Sequence, residues 1–91
     1  MFTTELLKNI PALYSQDGKG KEAIVYMHIE ALNGWQWFIT EYDGKELFFG
    51  YVKGFADEWG YIDKNELEDI INNHLATINT NFKPTALKDV I

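Results

Sequence analysis

Two turn signals, Asn33-Gly34 and Asp43-Gly44, divide residues 23–52 into three apolar runs, and this pattern constrains the fold most. Asn-Gly and Asp-Gly favour tight β-hairpins because their turn positions require positive φ angles. No helical pattern lies between the runs, which predicts an antiparallel meander of three to four strands. The predicted strands cover residues 23–32, 35–42 and 45–52.

The turns also predict how the strands are paired. A two-residue loop at Asn33-Gly34 would place His28 opposite Ile39. At the second turn, a three-residue loop with a glycine bulge would place Glu41 opposite Lys45, which avoids a like-charge pair with a second glutamate. With this register, one face of the sheet would carry the aromatic residues Trp35, Trp37, Phe49 and Tyr51.

Helices are expected on both sides of the meander in the chain. Thr3 or Thr4 provides a cap for a short N-terminal helix. Asp63 followed by Glu66 has the spacing of a capping box and predicts a helix over about 63–74. The segment 54–61 is expected to be a loop or a short edge element, and residues 77–82 a short strand. The fold class is therefore α+β, with the second helix packed on one face of the sheet.

The length and composition indicate one small acidic domain that spans residues 1–91. Apolar residues make up 46% of the chain, enough for a modest core, and 14 acidic residues outnumber 8 basic ones for a net charge of −6. Direct binding to nucleic acid is not expected, because that function needs a positive surface. The absence of cysteine excludes thiolate metal sites and disulfides. Residues 1–12 do not resemble a signal peptide, and no apolar run reaches membrane-spanning length, so we expect a soluble, cytoplasmic protein.

The run Gly18-Lys19-Gly20-Lys21 has only a superficial likeness to a phosphate-binding loop. Such a loop has the spacing Gly-x-x-x-x-Gly-Lys-Ser/Thr and leads into a helix, whereas this run leads into a predicted strand. We expect the glycines to let the chain turn into that strand. Lys19 and Lys21 stay candidates for contacts with an acidic group of a partner.

A group of carboxylates near the second turn raises an alternative function. Carboxylates that converge beside a lysine are what a magnesium-dependent nuclease needs. The usual Asp…Glu-x-Lys spacing is missing, and turns are rich in acidic residues in any case. A small metal-dependent nuclease acting on single-stranded nucleic acid is therefore kept as the alternative. The carboxylates concerned are Asp17, Glu22, Glu41, Asp43 and Glu46.

Three blocks of the sequence, together with their order, resemble a known family. "LYSQDGKGKEAIVY", "WQWFITEYDGKELFFGYVKGF" and "WGYIDKNELED" are similar to successive blocks of the bacterial domain-of-unknown-function family numbered twenty-nine fifty-eight. The resemblance extends from Leu6 to about Leu87. It implies a compact single domain that is often carried on plasmids and other mobile elements, and it implies no catalytic residues.

These observations together predict a non-enzymatic interaction protein without cofactor or metal. The excess of aromatic residues and the acidic charge favour a basic protein partner. The resemblance further suggests that the protein is an antagonist of a host defence complex. An anti-CRISPR or antirestriction factor that binds a basic nuclease or CRISPR effector is an example. A homodimer formed through an exposed sheet edge is a third alternative. The residues predicted to contact the partner are Lys19, Lys21, Trp35, Trp37, Glu41, Asp43, Asp57, Glu58 and Trp59.

Overall fold

The computed structural model describes residues 2–91 and shows an α+β fold. Two short helices accompany seven strands, and the segments Gly20–Glu22 and Leu87–Asp89 are single 3-10 turns. None of the helices in the described residues has the length and apolar character that crossing a membrane needs. The elements are α1 (Thr4–Leu7), β1 (Ile24–Val25), β2 (Met27–Ala31), β3 (Gln36–Tyr42), β4 (Leu47–Lys53), β5 (Asp57–Asp63), α2 (Lys64–Asn72), β6 (Ala76–Ile78) and β7 (Thr85–Ala86).

The main sheet has five strands in the order β5-β4-β3-β2-β6, and all neighbouring pairs are antiparallel. Strands β2 to β5 are neighbours in sequence and in space, so the predicted meander is confirmed. The segment expected to be a loop or edge element forms most of the edge strand β5. A second, two-stranded sheet pairs β1 with β7.

The predicted pairing at the first turn is wrong by one residue. His28 lies opposite Phe38 rather than Ile39, which pairs with Met27. The loop contains three residues, 32–34, because the Ala31 N–H donates to the Trp35 carbonyl at 2.8 Å. A glycine at the third loop position, with φ 93°, lets the chain reverse there.

The predicted pairing at the second turn is also wrong. The Asp43 N–H donates to the Leu47 carbonyl at 2.9 Å, so residues 44–46 form the loop, and Glu41 lies opposite Phe49 instead of Lys45. In addition, the ladder shifts between Ile39 and Glu41, which marks a β-bulge.

These shifts separate aromatic residues that were expected to share a face. A one-residue slip exchanges the two faces of a strand. Trp37 therefore lies on the face of Ile39 and Val52, whereas Phe49 and Tyr51 lie on the opposite face.

Each face of the sheet has its own buried cluster. The larger one lies beneath the helices and consists of Phe2, Ile10, Met27, Ile29, Ile39, Phe48, Ile62, Leu67 and Ala76. The smaller cluster, Val25, Phe38 and Leu87, lies under the C-terminal segment. Leu87 also donates its backbone N–H to the Ala23 carbonyl at 2.9 Å, so the end of the chain closes this second face.

The helix starts follow the capping residues named from the sequence. The Thr3 Oγ1 accepts from the Leu6 N–H at 3.3 Å. The Asp63 Oδ1 accepts from the backbone N–H groups of Asn65 and Glu66 at 2.8 and 3.2 Å. These bonds satisfy donors that a helix N-terminus otherwise leaves unpaired.

Candidate functional site

A buried glutamate ties the loop that precedes β1 to the middle of the sheet. The bulge in β3 places Glu41 inside the protein, where the residue is only 4% exposed. Its two carboxylate oxygens accept from the backbone N–H groups of Tyr14 and Gln16, each at 2.8 Å. Glu41 was grouped from the sequence with the carboxylates near the second turn, and the structure buries it instead.

The side chain of Gln16 provides a second attachment for the same loop. Its Nε2 donates to the carbonyls of Ile24 and Thr40, both at 2.9 Å. Its Oε1 accepts from the Ile24 N–H at 2.6 Å. Gln16 thus bridges β1 and β3 from a buried position and replaces ladder bonds that the short strand β1 does not make.

The glycines of the Gly-Lys-Gly-Lys run serve the backbone of this loop. Gly18 and Gly20 have φ angles of 81° and 53°, a region that side-chain-bearing residues rarely adopt. The chain then enters β1 through the 3-10 turn Gly20–Glu22, in agreement with the prediction that this run leads into a strand. Lys19 and Lys21 are both exposed, and their role as contacts stays a prediction.

Tyr14 has an unusual backbone for a residue with a side chain. Its φ is 71°, and its ring is held outward, with 66% of the residue exposed. Left-handed backbone costs a non-glycine residue roughly 1–2 kcal/mol, which the bond to the Glu41 carboxylate offsets. The ring stands over the edge of the sheet, where the Tyr61 hydroxyl donates to the Tyr14 hydroxyl at 3.3 Å.

Between this loop and strands β4 and β5 lies a groove of about 360 Å³. We call it the loop–edge groove, and it has the size of a small-ligand site. The rings of Phe49 and Trp59 are stacked, with centroids 5.7 Å apart, and Phe49 meets Tyr61 edge-on at 5.2 Å. The groove is lined by Tyr14, Gln16, Asp17, Gly18, Gly20, Ala23, Thr40, Glu41, Phe49, Trp59 and Tyr61.

The loop–edge groove has a negative electrostatic environment. The pKa of the Tyr61 hydroxyl is raised above its ordinary value, first by the hydrogen bond to Tyr14 and then by partial burial. The negative charges of Glu41 and Asp17 raise this pKa further, because they oppose a phenolate nearby.

The edge strand β5 continues the aromatic wall of the groove with acidic residues. Side chains alternate along a strand, so Asp57, Trp59, Tyr61 and Asp63 point to the same face. Asp57 is exposed, and Trp59 is half-buried against the smaller cluster. We call these four residues the acidic–aromatic face of β5.

The other predicted contact residues lie elsewhere. Glu58 points to the opposite face of β5, beside Val52 and Trp37. Trp35 and Trp37 line a separate apolar groove of about 380 Å³, together with Ala31, Leu32, Asn33, Ile70 and Leu75. The structure thus brings Asp57 and Trp59 together but does not bring the other two tryptophans to them.

Of the five carboxylates of the nuclease alternative, Asp17 and Glu41 line the loop–edge groove, whereas Glu22, Asp43 and Glu46 are not part of its lining. One oxygen of Asp43 accepts from the N–H groups of Leu47, Lys45 and Glu46 at 2.7–3.0 Å, and these bonds hold the pKa of its carboxyl below the ordinary value. Glu22 pairs with Lys88 at 2.8 Å. Within residues 2–91, no group of three or more histidines and carboxylates is arranged to hold a metal ion.

Among the lining residues of the loop–edge groove with long polar side chains, Tyr14, Gln16 and Tyr61 were not singled out from the sequence. Their partners are distant in the chain, since Tyr14 and Tyr61 are 47 residues apart. The signal available was the polar residue pair Ser15-Gln16 between the N-terminal helix and a glycine run, which is ordinary in a loop.

No protein-family model, curated protein or solved structure matches this chain. The resemblance to family twenty-nine fifty-eight therefore stays a prediction.

Proposed function

We propose that this chain is a non-enzymatic binding protein that uses the acidic–aromatic face of β5 to hold a basic protein partner. The observation that carries the proposal is the alternation of Asp57, Trp59 and Tyr61 on one face of a sheet edge, beside an aromatic groove. An edge strand presents free backbone groups as well as side chains, which suits the addition of a partner segment.

The aromatic and acidic side chains of this face would contribute to binding in different ways. Tryptophan and tyrosine are enriched among the residues that dominate interface energies. Acidic residues around them speed encounters with a positive surface and disfavour wrong partners. Asp57 and Asp17 are both exposed, and Lys53 lies opposite Asp57 on β4. The net charge of −6 leaves the protein as a whole attractive to a positive partner.

The class of partner that fits is a basic, nucleic-acid-binding protein complex. An acidic protein that occupies a positive channel competes with nucleic acid for it. A host defence nuclease, inhibited in the manner of an anti-CRISPR or antirestriction factor, is the partner we propose. The resemblance to mobile-element proteins supports this choice of partner, and a partner of this kind would be met in the cytoplasm.

The test is capture from a lysate of the native host, with nucleic acid digested in a parallel sample. The bait variants are Asp57→Lys and Tyr61→Ala, both at exposed positions. Glu30→Lys is the matched control, because it reverses an exposed acid on β2, three strands away from β5.

The wild-type protein and the Glu30→Lys control should capture the same basic nucleic-acid-binding protein in both samples. The Asp57→Lys and Tyr61→Ala baits should recover at least about ten-fold less of it, as expected for loss of 1.4 kcal/mol or more. Equal recovery by all four baits, or recovery that disappears with nucleic acid, would rule out the proposed surface.

A further inference from the structure

The loop–edge groove combines aromatic rings with negative charge. Four of its lining residues are aromatic, Tyr14, Phe49, Trp59 and Tyr61, and two carry carboxylates, Asp17 and Glu41. Its described lining contains no lysine, and the chain contains no arginine. Ring faces attract cations through the quadrupole of the π-system, and a nearby carboxylate adds to this attraction.

We propose that the loop–edge groove binds the cationic head of a lysine or arginine side chain presented by the partner. The inference rests on the proposed function and identifies what the partner inserts. The rings of Phe49, Trp59 and Tyr61 form the wall, and Asp17 at the rim supplies the counter-charge. Tyr14, 66% exposed and hydrogen-bonded to Tyr61, stands at the open side.

Most of the backbone N–H groups of this loop are already engaged, which disfavours an anion in the same place. Anion-binding loops direct free N–H groups toward the ligand. Here the N–H groups of Asp17, Lys19 and Glu22 donate to carbonyls within the loop at 3.0–3.2 Å. The N–H groups of Tyr14 and Gln16 are taken by the Glu41 carboxylate.

The groove is also positioned for a cation because its floor is fixed. Glu41 and Gln16 together hold the loop through five hydrogen bonds to β1, β3 and the loop backbone. The rings then need little ordering when a ligand binds, which favours affinity. Since Glu41 is buried and engaged, Asp17 is the carboxylate that a ligand can approach.

The experiment titrates the full-length ¹⁵N-labelled protein with three small probes and follows its amide and indole signals by NMR. The cationic probes are Nα-acetyl-lysine methylamide and Nα-acetyl-arginine methylamide. The neutral probe, Nα-acetyl-norleucine methylamide, has the same stem without the charge. Inorganic phosphate is titrated separately.

We expect at least one cationic probe to shift the Trp59 indole N–H and the amides of residues 14–20 along a saturable curve. Its affinity should exceed that of the norleucine probe about ten-fold, as an attraction of this kind implies. The Asp17→Asn protein should bind the cation several-fold more weakly. The Trp35→Leu protein, altered in the other groove, should bind it as the wild type does.

Equal shifts with the norleucine probe, or phosphate shifting the same signals in place of the cations, would overturn the inference. Unchanged cation affinity in Asp17→Asn would overturn it as well. Failure of this inference can be told apart from failure of the proposed function. If Tyr61→Ala loses partner capture but no cationic probe binds, only the cation-binding inference is rejected. If a cationic probe binds but Tyr61→Ala captures the partner normally, the proposed partner surface is rejected.

Discussion

At the scale of single residues, Gly50 shows how tightly two strands of the sheet approach. A Cβ atom added at Gly50 would lie 2.1 Å from the carbonyl oxygen of Phe38, a backbone atom that cannot rotate away. Gly60, directly opposite on β5, has no atom within 4 Å of the same hypothetical Cβ. The two glycines therefore form a natural matched pair.

Gly50→Ala should lower the free energy of unfolding by about 2–3 kcal/mol, near the upper range for overpacking, because β3 or β4 must move. Gly60→Ala should change it by less than about 0.5 kcal/mol. Urea denaturation of both variants measures the difference. Equal effects of the two substitutions would show that the contact between β3 and β4 relaxes at little cost.

The carboxylate of Asp43 should make the stability of the fold depend on pH. Three backbone N–H groups favour its ionised form, so its pKa in the folded protein lies below the ordinary value near 4. A carboxyl pKa that is lowered by folding stabilises the folded state at pH values above the ordinary pKa. That stability is lost as the pH falls through the lowered pKa.

The wild type should therefore be more stable than Asp43→Asn at pH 6, and the gap should close as the pH falls below about 4. Thermal unfolding of both proteins from pH 6 to pH 2 measures it. A gap that stays constant down to pH 2 would contradict the assigned role of the ionised carboxylate.

At the scale of elements, the loop before β1 depends on Glu41 for its position. The buried carboxylate accepts two backbone N–H groups, and an amide in its place would turn an N–H₂ group toward one of them. An unsatisfied buried donor costs roughly 1–3 kcal/mol.

Glu41→Gln should thus destabilise the protein by about 2 kcal/mol and speed hydrogen exchange at the amides of Tyr14 and Gln16. The exposed Glu46, on the loop after β3, supplies the control substitution Glu46→Gln, which should leave both quantities unchanged. Unchanged exchange at Tyr14 in the Glu41 variant would mean that other contacts position the loop.

The elements themselves were largely predictable from local signals. The two turns, the Thr3 and Asp63 caps and the apolar runs gave the meander and both helices, because each signal acts within a few residues. The strand register was not predictable to the same degree. Both hairpin loops have three residues at positions the sequence did not fix, and the bulge before Glu41 has no clear local signature.

The candidate site was predictable only in part, for a related reason. Asp57 and Trp59 lie on one strand, and the acidic charge and aromatic excess of the chain were enough to predict them as partner contacts. The groove beside them depends on bonds between residues 25–47 positions apart, such as those of Glu41 with Gln16 and of Tyr61 with Tyr14. Such contacts depend on register and burial, which the sequence pattern leaves open.

At the scale of the whole molecule, the two sheet faces have different roles. The helices cover one face, and the C-terminal segment covers only part of the other. The uncovered remainder is the loop–edge groove and the acidic–aromatic face of β5. Charges on an edge strand also discourage pairing with a second copy, so this surface suits a basic partner better than itself.

Site-specific photocrosslinking in host cells tests this central claim most directly. A photoreactive phenylalanine replaces Tyr61, which is 54% exposed in the loop–edge groove, or Leu32, which is 78% exposed beside the separate apolar groove. We predict a crosslink from position 61 to a basic nucleic-acid-binding protein, and little from position 32. Crosslinks from position 32 with none from position 61 would contradict the account.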